Sequence, residues 1–323
     1  MTRILELFNQ KIAYLFIFIA IVILVAMFPL FFSSGYSLRL MVTIGFSIAT
    51  ALCFNLVIGY MGYPSLSQSV FYGVGGYTMA LITLRLGVSP WIALILSPLT
   101  SFAVGYLAAI PFLKLRSMFF AIGTLAFTGV VNAILINLHT ITGAEAGLRG
   151  IPRLVKSDTV YFYILVVLII LILFGTKILV DSYWGKILIA IREDEDLAPH
   201  FGINTTKYKR LTFALTAAFT GLAGALFISY QTYISSNYYT IGSSFSILAC
   251  TVVGGGGTLL GPIIGALIVI GVPELLRGVL GGMYVWRPSF VGAVMVAVIL
   301  LFPGGIYGGF QKLAGYLRKR GKK

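Results

Sequence analysis

The chain has 323 residues, of which 59% are hydrophobic and only 10% charged, with 23 Lys and Arg against 9 Asp and Glu. Ordinary soluble domains carry about 25% charged residues, so this composition excludes one. A formal charge of +14 would suggest nucleic acid in a soluble protein, but here the basic residues sit between long apolar runs, the pattern of membrane loops.

A helix needs about 20 apolar residues to cross the hydrocarbon core, because lipid offers no partner for exposed backbone groups. In chain order, such runs predict spans at 12–32, 40–60, 91–111, 118–138, 160–180, 209–230 and 288–302. Two more apolar regions, 64–84 and 241–280, are interrupted by glycine. The second breaks between Gly254 and Pro262 and divides into two short spans. The expected fold is all-α: a polytopic helical bundle of about ten spans, within a range of about eight to eleven, forming one membrane domain over 1–323. The first run ends in Pro29-Leu30-Phe31-Phe32 with no small-residue cleavage site, and it exceeds the roughly 7–15 residues of a signal peptide's apolar core. It reads as a retained first span. Cys53 and Cys250 lie in apolar stretches and read as packing residues.

Loop charge sets orientation. With the N-terminus inside, inside segments hold 16 Lys and Arg: Arg3 and Lys11, Lys114 and Arg116, six from Lys177 to Arg210, and six from Lys312 to Lys323. Outside segments hold 7: Arg39, Arg85, Arg149, Arg153, Lys156, Arg277 and Arg287. Both termini are therefore expected in the cytoplasm, which favours an even number of spans.

The spans contain almost no ionisable groups. Glu274 lies inside one, a helical turn from Arg277, either as a helix-end pair that snorkels to the interface or as a group on a transport path. Ion-coupled transporters usually carry intramembrane acids or histidines; His139 and His200 lie at a span end and in a loop. No clustered His, Cys or carboxylates suit a metal, haem or redox centre, and none is expected. The run Gly254-Gly255-Gly256-Gly257-Thr258 lacks the Lys of a phosphate loop, so no nucleotide site is expected either.

One hydrophilic segment concentrates charge, the inside loop 181–210, where Glu193, Asp194, Glu195 and Asp196 follow Arg192. Asp196 is expected to cap a short helix with Pro199 in its first turn and Gly202 at its end. Such a helix would lie across the membrane face, as a solvated connector or as a docking element.

Here a family resemblance emerges. Ala190 to Glu195, Ala198, Gly202-Ile203-Asn204 and Tyr208-Lys209 resemble the cytoplasmic loop of branched-chain amino acid ABC permeases of the LivM type. Other pieces agree in order: Asn55 to Gly62 with Ser65-Leu66-Ser67-Gln68 and Phe71 to Tyr77; Phe119 to Ala126; Gly147-Leu148 and Gly150-Ile151-Pro152; Gly221 to Leu226; Gly254 to Pro262; Pro273 to Arg277; and Phe302-Pro303-Gly304-Gly305. Asp196-Leu197-Ala198-x3-Gly202 is a degenerate form of the E-A-A-x3-G pattern of importer permeases. Gln68 stands where the family often has His.

The resemblance implies a transmembrane subunit of an ABC importer for branched-chain or related amino acids in a prokaryotic inner or plasma membrane. It implies no cofactor of the chain's own. It also implies a second permease subunit, two cytoplasmic ATPase subunits that use ATP, and an extracytoplasmic binding protein. Ile191, Arg192, Glu193, Asp194, Glu195, Asp196, Ala198, Gly202 and Ile203 would form the segment seated on the ATPase. Asn55, Gly59, Gly62, Ser65, Ser67, Gln68, Gly73, Gly76, Thr124, Asn132, Gly254, Gly255, Gly256, Gly257, Thr258 and Glu274 are candidates for the translocation pathway. Glycines and polar groups of this kind serve tight helix packing equally well. Urea, amides and other amino acids are alternative substrates, and an ATP-independent transporter or channel is the rival class.

Overall fold

The computed structural model describes residues 35–275, 287–302 and 304–309. The expected span at 12–32, Arg277 and the C-terminal basic cluster lie outside the described residues.

Eleven helical elements carry the description. They are α1 Gly35–Asn55, continued by a π-helical turn Leu56–Tyr60; α2 Gln68–Arg85; α3 Pro90–Phe112; α4 Ser117–Asn137; and the short α5 His139–Thr142. There follow α6 Asp158–Asp181, α7 Tyr183–Glu193, α8 Thr205–Gln231, α9 Ile241–Gly254, α10 Gly261–Ala266 with a second π-helical turn Leu267–Gly271, and α11 Arg287–Leu301. Among the described residues, six helices are long and apolar enough to cross a membrane: Gly35–Tyr60, Pro90–Phe112, Met118–Asn137, Asp158–Asp181, Thr205–Gln231 and Ser289–Gly309. The glycine-interrupted regions fall where the sequence places them. One becomes α2 after an irregular stretch at 61–67, and the other becomes α9 and α10 on either side of a turn at 255–260.

Two helices form the centre. The apolar windows of α1 and α8 are 78% and 72% buried, against 28% for α3, 17% for α4 and 22% for α6. The outer helices turn Leu99, Leu107, Ile122, Val130, Val167 and Phe174 outward. Such faces would be unfavourable in water and cost nothing against lipid tails. The helical bundle is therefore a multi-pass membrane protein.

Small residues let the central helices touch backbone to backbone. A methyl on Gly75 of α2 would overlap the Gly221 carbonyl of α8, and one on Gly224 would overlap the Tyr72 carbonyl. Gly105 of α3 likewise faces Ala217 of α8. Buried hydroxyls in these helices donate to the carbonyl four residues back, as Thr216 Oγ1 does to Thr212 O at 2.8 Å. Such hydroxyls enter the core already paired; Tyr77 Oη, Tyr230 Oη and Gln68 Nε2 are buried without a partner among the described residues.

The loops gather at two ends. At one, Arg116 faces Asp196 at 3.5 Å, joining loop 113–116 to loop 194–204. At the other, Arg85 Nη2 donates to Ile141 O at 3.2 Å, and Leu148–Arg149 pairs antiparallel with Tyr233–Ile234. Arg153 holds this end to α6 through Asp158 at 2.7 Å.

Candidate functional site: a charged loop, two broken helices and a cavity

The charged loop begins with a helix, α7, that the sequence-based reading does not place. Ser182 caps α7, accepting from Trp184 N at 3.2 Å, and Ile187, Leu188 and Ile191 bury one face. Trp184 Nε1 donates to Thr212 Oγ1 of α8 at 3.0 Å, fixing α7 across the bundle end.

The cap after α7 is a correction. Asp194, not Asp196, receives the free amides: its Oδ1 accepts from Asp196 N and Leu197 N, both at 3.0 Å. The chain then makes a single 3-10 turn, Ala198–Phe201, rather than an α-helix. Pro199 supplies no N–H, and Gly202 at φ +75° closes the turn through its N–H to Pro199 O at 2.9 Å. Gly202 ends the element as expected. Asn204 caps α8 by accepting from Lys207 N at 3.0 Å, and Ile203 packs half-buried beside the α7 core.

Loop charges divide into two sets. Glu193 and Asp196 are solvated, with side chains 70% and 82% exposed. Leu197 and Phe201 stand out beside them, 55% and 80% exposed. Glu195 is half-buried, while Arg192, 43% exposed, pairs with Glu193 at 3.6 Å and also reaches back to the bundle. Arg192 Nη1 donates to Gly59 O at 2.7 Å. The Glu195 carboxylate accepts from Lys209 Nζ and from Tyr63 Oη. Lys209 is 2% exposed; its Nζ also donates to Tyr63 Oη at 3.1 Å and lies 4.8 Å from the Tyr63 ring centre.

The two broken helices meet at this end. Asn55, the last residue of α1, donates to Thr258 O at 2.7 Å and accepts from Gly257 N at 2.8 Å. Gly59 abuts the Gly257 amide so closely that a Cβ would overlap it. Thr258 Oγ1 donates to Gly255 O at 2.7 Å and accepts from Gly261 N at 3.1 Å, closing the turn that starts at Gly254. Gly254 itself packs on the Gly261 carbonyl, Gly265 packs on that of Cys250, and Gly256 lies within 4 Å of Gly59. Gly62, at φ +77°, lies under the Arg192 stem. The structure thus joins Asn55 and Gly59 to the turn of Gly254, Gly255, Gly256, Gly257 and Thr258, and sets Gly59, Gly62 and Gly257 against Arg192.

The other expected pathway residues lie apart. Ser65 and Ser67 are buried and bonded to each other at 2.9 Å. Thr124 Oγ1 accepts from Leu66 N at 3.0 Å. Gln68 is buried, with Oε1 accepting from Thr220 at 3.1 Å and Nε2 without a partner among the described residues. Asn132 donates to Ser236 O at 3.0 Å and Tyr239 O at 3.3 Å, at the opposite end. Gly73 and Gly76 pack against Tyr239 and Ile228. Glu274 lies next to the last described residue of the helical stretch Gly261–Leu275, and its expected partner Arg277 lies outside the described residues.

A cavity of about 600 Å³ opens between α1, α2, α9 and α11. None of the expected pathway residues is among those that line it. Its walls combine hydroxyls, among them Thr43, Ser47 and Thr50 of α1 and Ser69 of α2, with Phe46, Tyr72, Phe227 and Phe245. Among the described residues, no carboxylate, lysine, arginine or histidine lines it. Thr43, Ser47 and Thr50 donate to their own helix carbonyls at 2.9, 3.1 and 2.7 Å, which leaves their oxygen lone pairs for a ligand's donors. Burial raises the Tyr238 phenol at the rim above its ordinary range, so it stays neutral near pH 7. The signal was in the sequence: Thr43, Ser47 and Thr50 recur at helical spacing on one face.

Residues 36–301 match the family model described as branched-chain amino acid transport system / permease component. The chain belongs to this family. Among curated relatives, it is 33% identical over 282 residues to the high-affinity branched-chain amino acid transport system permease protein LivM of Salmonella typhimurium, covering 75% of this chain and 66% of that protein. The probable branched-chain amino acid transport permease protein LivM of Methanocaldococcus jannaschii is 24% identical over 81% of this chain and 90% of its own length. The autoinducer 2 import system permease protein LsrC of Salmonella choleraesuis is 24% identical over 68% of this chain and 63% of its own. No solved structure matches.

Proposed function

We propose that this permease is the membrane subunit of an ABC importer for branched-chain or related amino acids. Two cytoplasmic ATPase subunits seat on the loop 193–202, a second permease subunit completes the translocator, and an extracytoplasmic binding protein delivers substrate. The chain itself is not an enzyme and carries no cofactor; ATP is used by its partners. The loop end and both termini face the cytoplasm. The full membrane protein has about ten spans.

The observation that carries this reading is the exposed apolar pair Leu197 and Phe201, raised on a capped turn and flanked by solvated Glu193 and Asp196. Apolar side chains at a bundle end, flanked by solvated carboxylates, fit a protein groove. The cavity is the substrate's passage in this reading. Its aromatic wall suits an apolar side chain, and its hydroxyl oxygens suit an ammonium group. A charge-free wall binds weakly enough to release.

Deleting the gene and measuring uptake of radiolabelled leucine, isoleucine and valine tests the reading. Loss of uptake that returns with the gene is expected. Unchanged leucine uptake with impaired urea or amide uptake would move the substrate to that alternative. Uptake that persists after ATP depletion would place the chain among secondary transporters or channels.

A further inference from the structure

Two charges of the loop region, Arg192 and Glu195, also bond back into the bundle. Both reach the same irregular segment, 56–67. Arg192 bonds Gly59 O at 2.7 Å, and its stem lies on Gly62. Glu195 holds Tyr63 directly and through buried Lys209. Separating loop from segment would strand a buried ammonium, which low-dielectric surroundings penalise heavily. Loop and segment are therefore fastened to each other and to the end of α8 that carries Lys209, whose Nζ also donates to Leu113 O at 3.4 Å.

The far side of that segment meets the cavity. Leu66 is gripped through both backbone groups, by Thr124 Oγ1 at 3.0 Å and Thr128 Oγ1 at 2.7 Å. Three residues on, Ser69 bonds Ser244 of α9 at 2.6 Å and forms part of the cavity wall. Residues 61–67 lack regular helix, so side-chain contacts fix their position. Such a stretch repositions more readily than a helix.

We propose that segment 56–67 is the lever that carries displacement of loop 193–202 to the cavity, with Arg192 and Lys209 as the positioning residues that fasten it. This rests on the importer reading above. It also removes Arg192 from the docking contact, where the sequence-based reading puts it.

The test uses the assembled transporter in proteoliposomes, with the ATPase subunits that co-purify with the wild type, radiolabelled leucine and the binding protein. Three numbers are read for each variant: ATPase association, ATP hydrolysed and leucine moved per ATP. Arg192→Lys keeps the charge and loses the reach to Gly59. Gly62→Ala acts from the other side, since its methyl would displace the Arg192 stem. For both, association and hydrolysis stay within about twofold of wild type, while leucine per ATP falls at least about tenfold, as for loss of one hydrogen bond to a charged donor. Lys209→Glu alone uncouples in the same way, and Glu195→Lys with Lys209→Glu restores coupling towards wild type. Unchanged leucine per ATP in Arg192→Lys overturns the lever. So does a fall in association that accounts for the lost uptake, which would make Arg192 a docking residue. If the wild type itself moves no leucine with ATP, the importer reading fails and the lever with it.

Discussion

Replacing Phe201 by alanine should weaken the ATPase contact without weakening the fold. The ring is 80% exposed, so the bundle loses almost no packing when it is removed. A phenylalanine side chain offers about 200 Å² for burial, so seating the exposed part removes about 160 Å² from water. At about 25 cal/mol/Å², that is about 4 kcal/mol. Alanine keeps part of the contact and groove edges stay wet, which leaves a loss of about 2–3 kcal/mol, or about 30- to 150-fold in Kd. Leu197→Ala, at 55% exposure, should cost about half as much. The assay is titration of detergent-solubilised permease with the ATPase subunits, beside thermal unfolding of the permease alone. Stability should stay within about 0.5 kcal/mol. Unchanged affinity would refute the docking argument, and a large fall in Tm would mean that Phe201 is a packing residue.

Three other outcomes follow from the geometry. Gly75→Val should destabilise the bundle by at least about 1–3 kcal/mol, read as loss of folded permease in membranes, because its side chain would enter the Gly221 carbonyl. Asn132→Ala removes two bonds to the 236–239 turn, and should cost about 1–2 kcal/mol in thermal unfolding while leaving ATPase affinity untouched. Tyr238→Phe should leave the pH profile of leucine uptake unchanged between about pH 6 and 9, because burial raises this phenol's pKa and deprotonation falls above that window; a shifted profile would show that the phenol titrates during transport.

How much of this could be read from the sequence depends on the range of the interactions. Span lengths follow from local hydropathy, so α1, α3, α4, α6 and α8 stand within a few residues of their expected positions. The break between α9 and α10 is local too, since Gly255 and Gly257 take positive φ. Gly202 was legible as a stop for the same reason. Helix α7 was legible in principle, because Trp184, Ile187, Leu188 and Ile191 recur on one face, but its charged flanks masked the pattern. The bonds of Arg192 and Glu195 back into the bundle were not legible. Their partners Gly59 and Tyr63 lie more than 130 residues away, and only the fold brings them near. A charge cluster reads as solvated unless a partner is in view, and Lys209 looks like an ordinary interface lysine until its burial is known. Among the glycines, Gly254 was read equally as a pathway or a packing residue, and it packs backbone to backbone on the Gly261 carbonyl.

In the proposed function, this chain moves amino acid only as part of an ATP-driven assembly. The most direct measurement is radiolabelled leucine accumulation in proteoliposomes holding the permease pair and ATPases, with binding protein outside and ATP or a non-hydrolysable analogue inside. The account predicts accumulation against a gradient with ATP and none with the analogue. Equal uptake with both, or uptake by this chain without ATPase subunits, would contradict it.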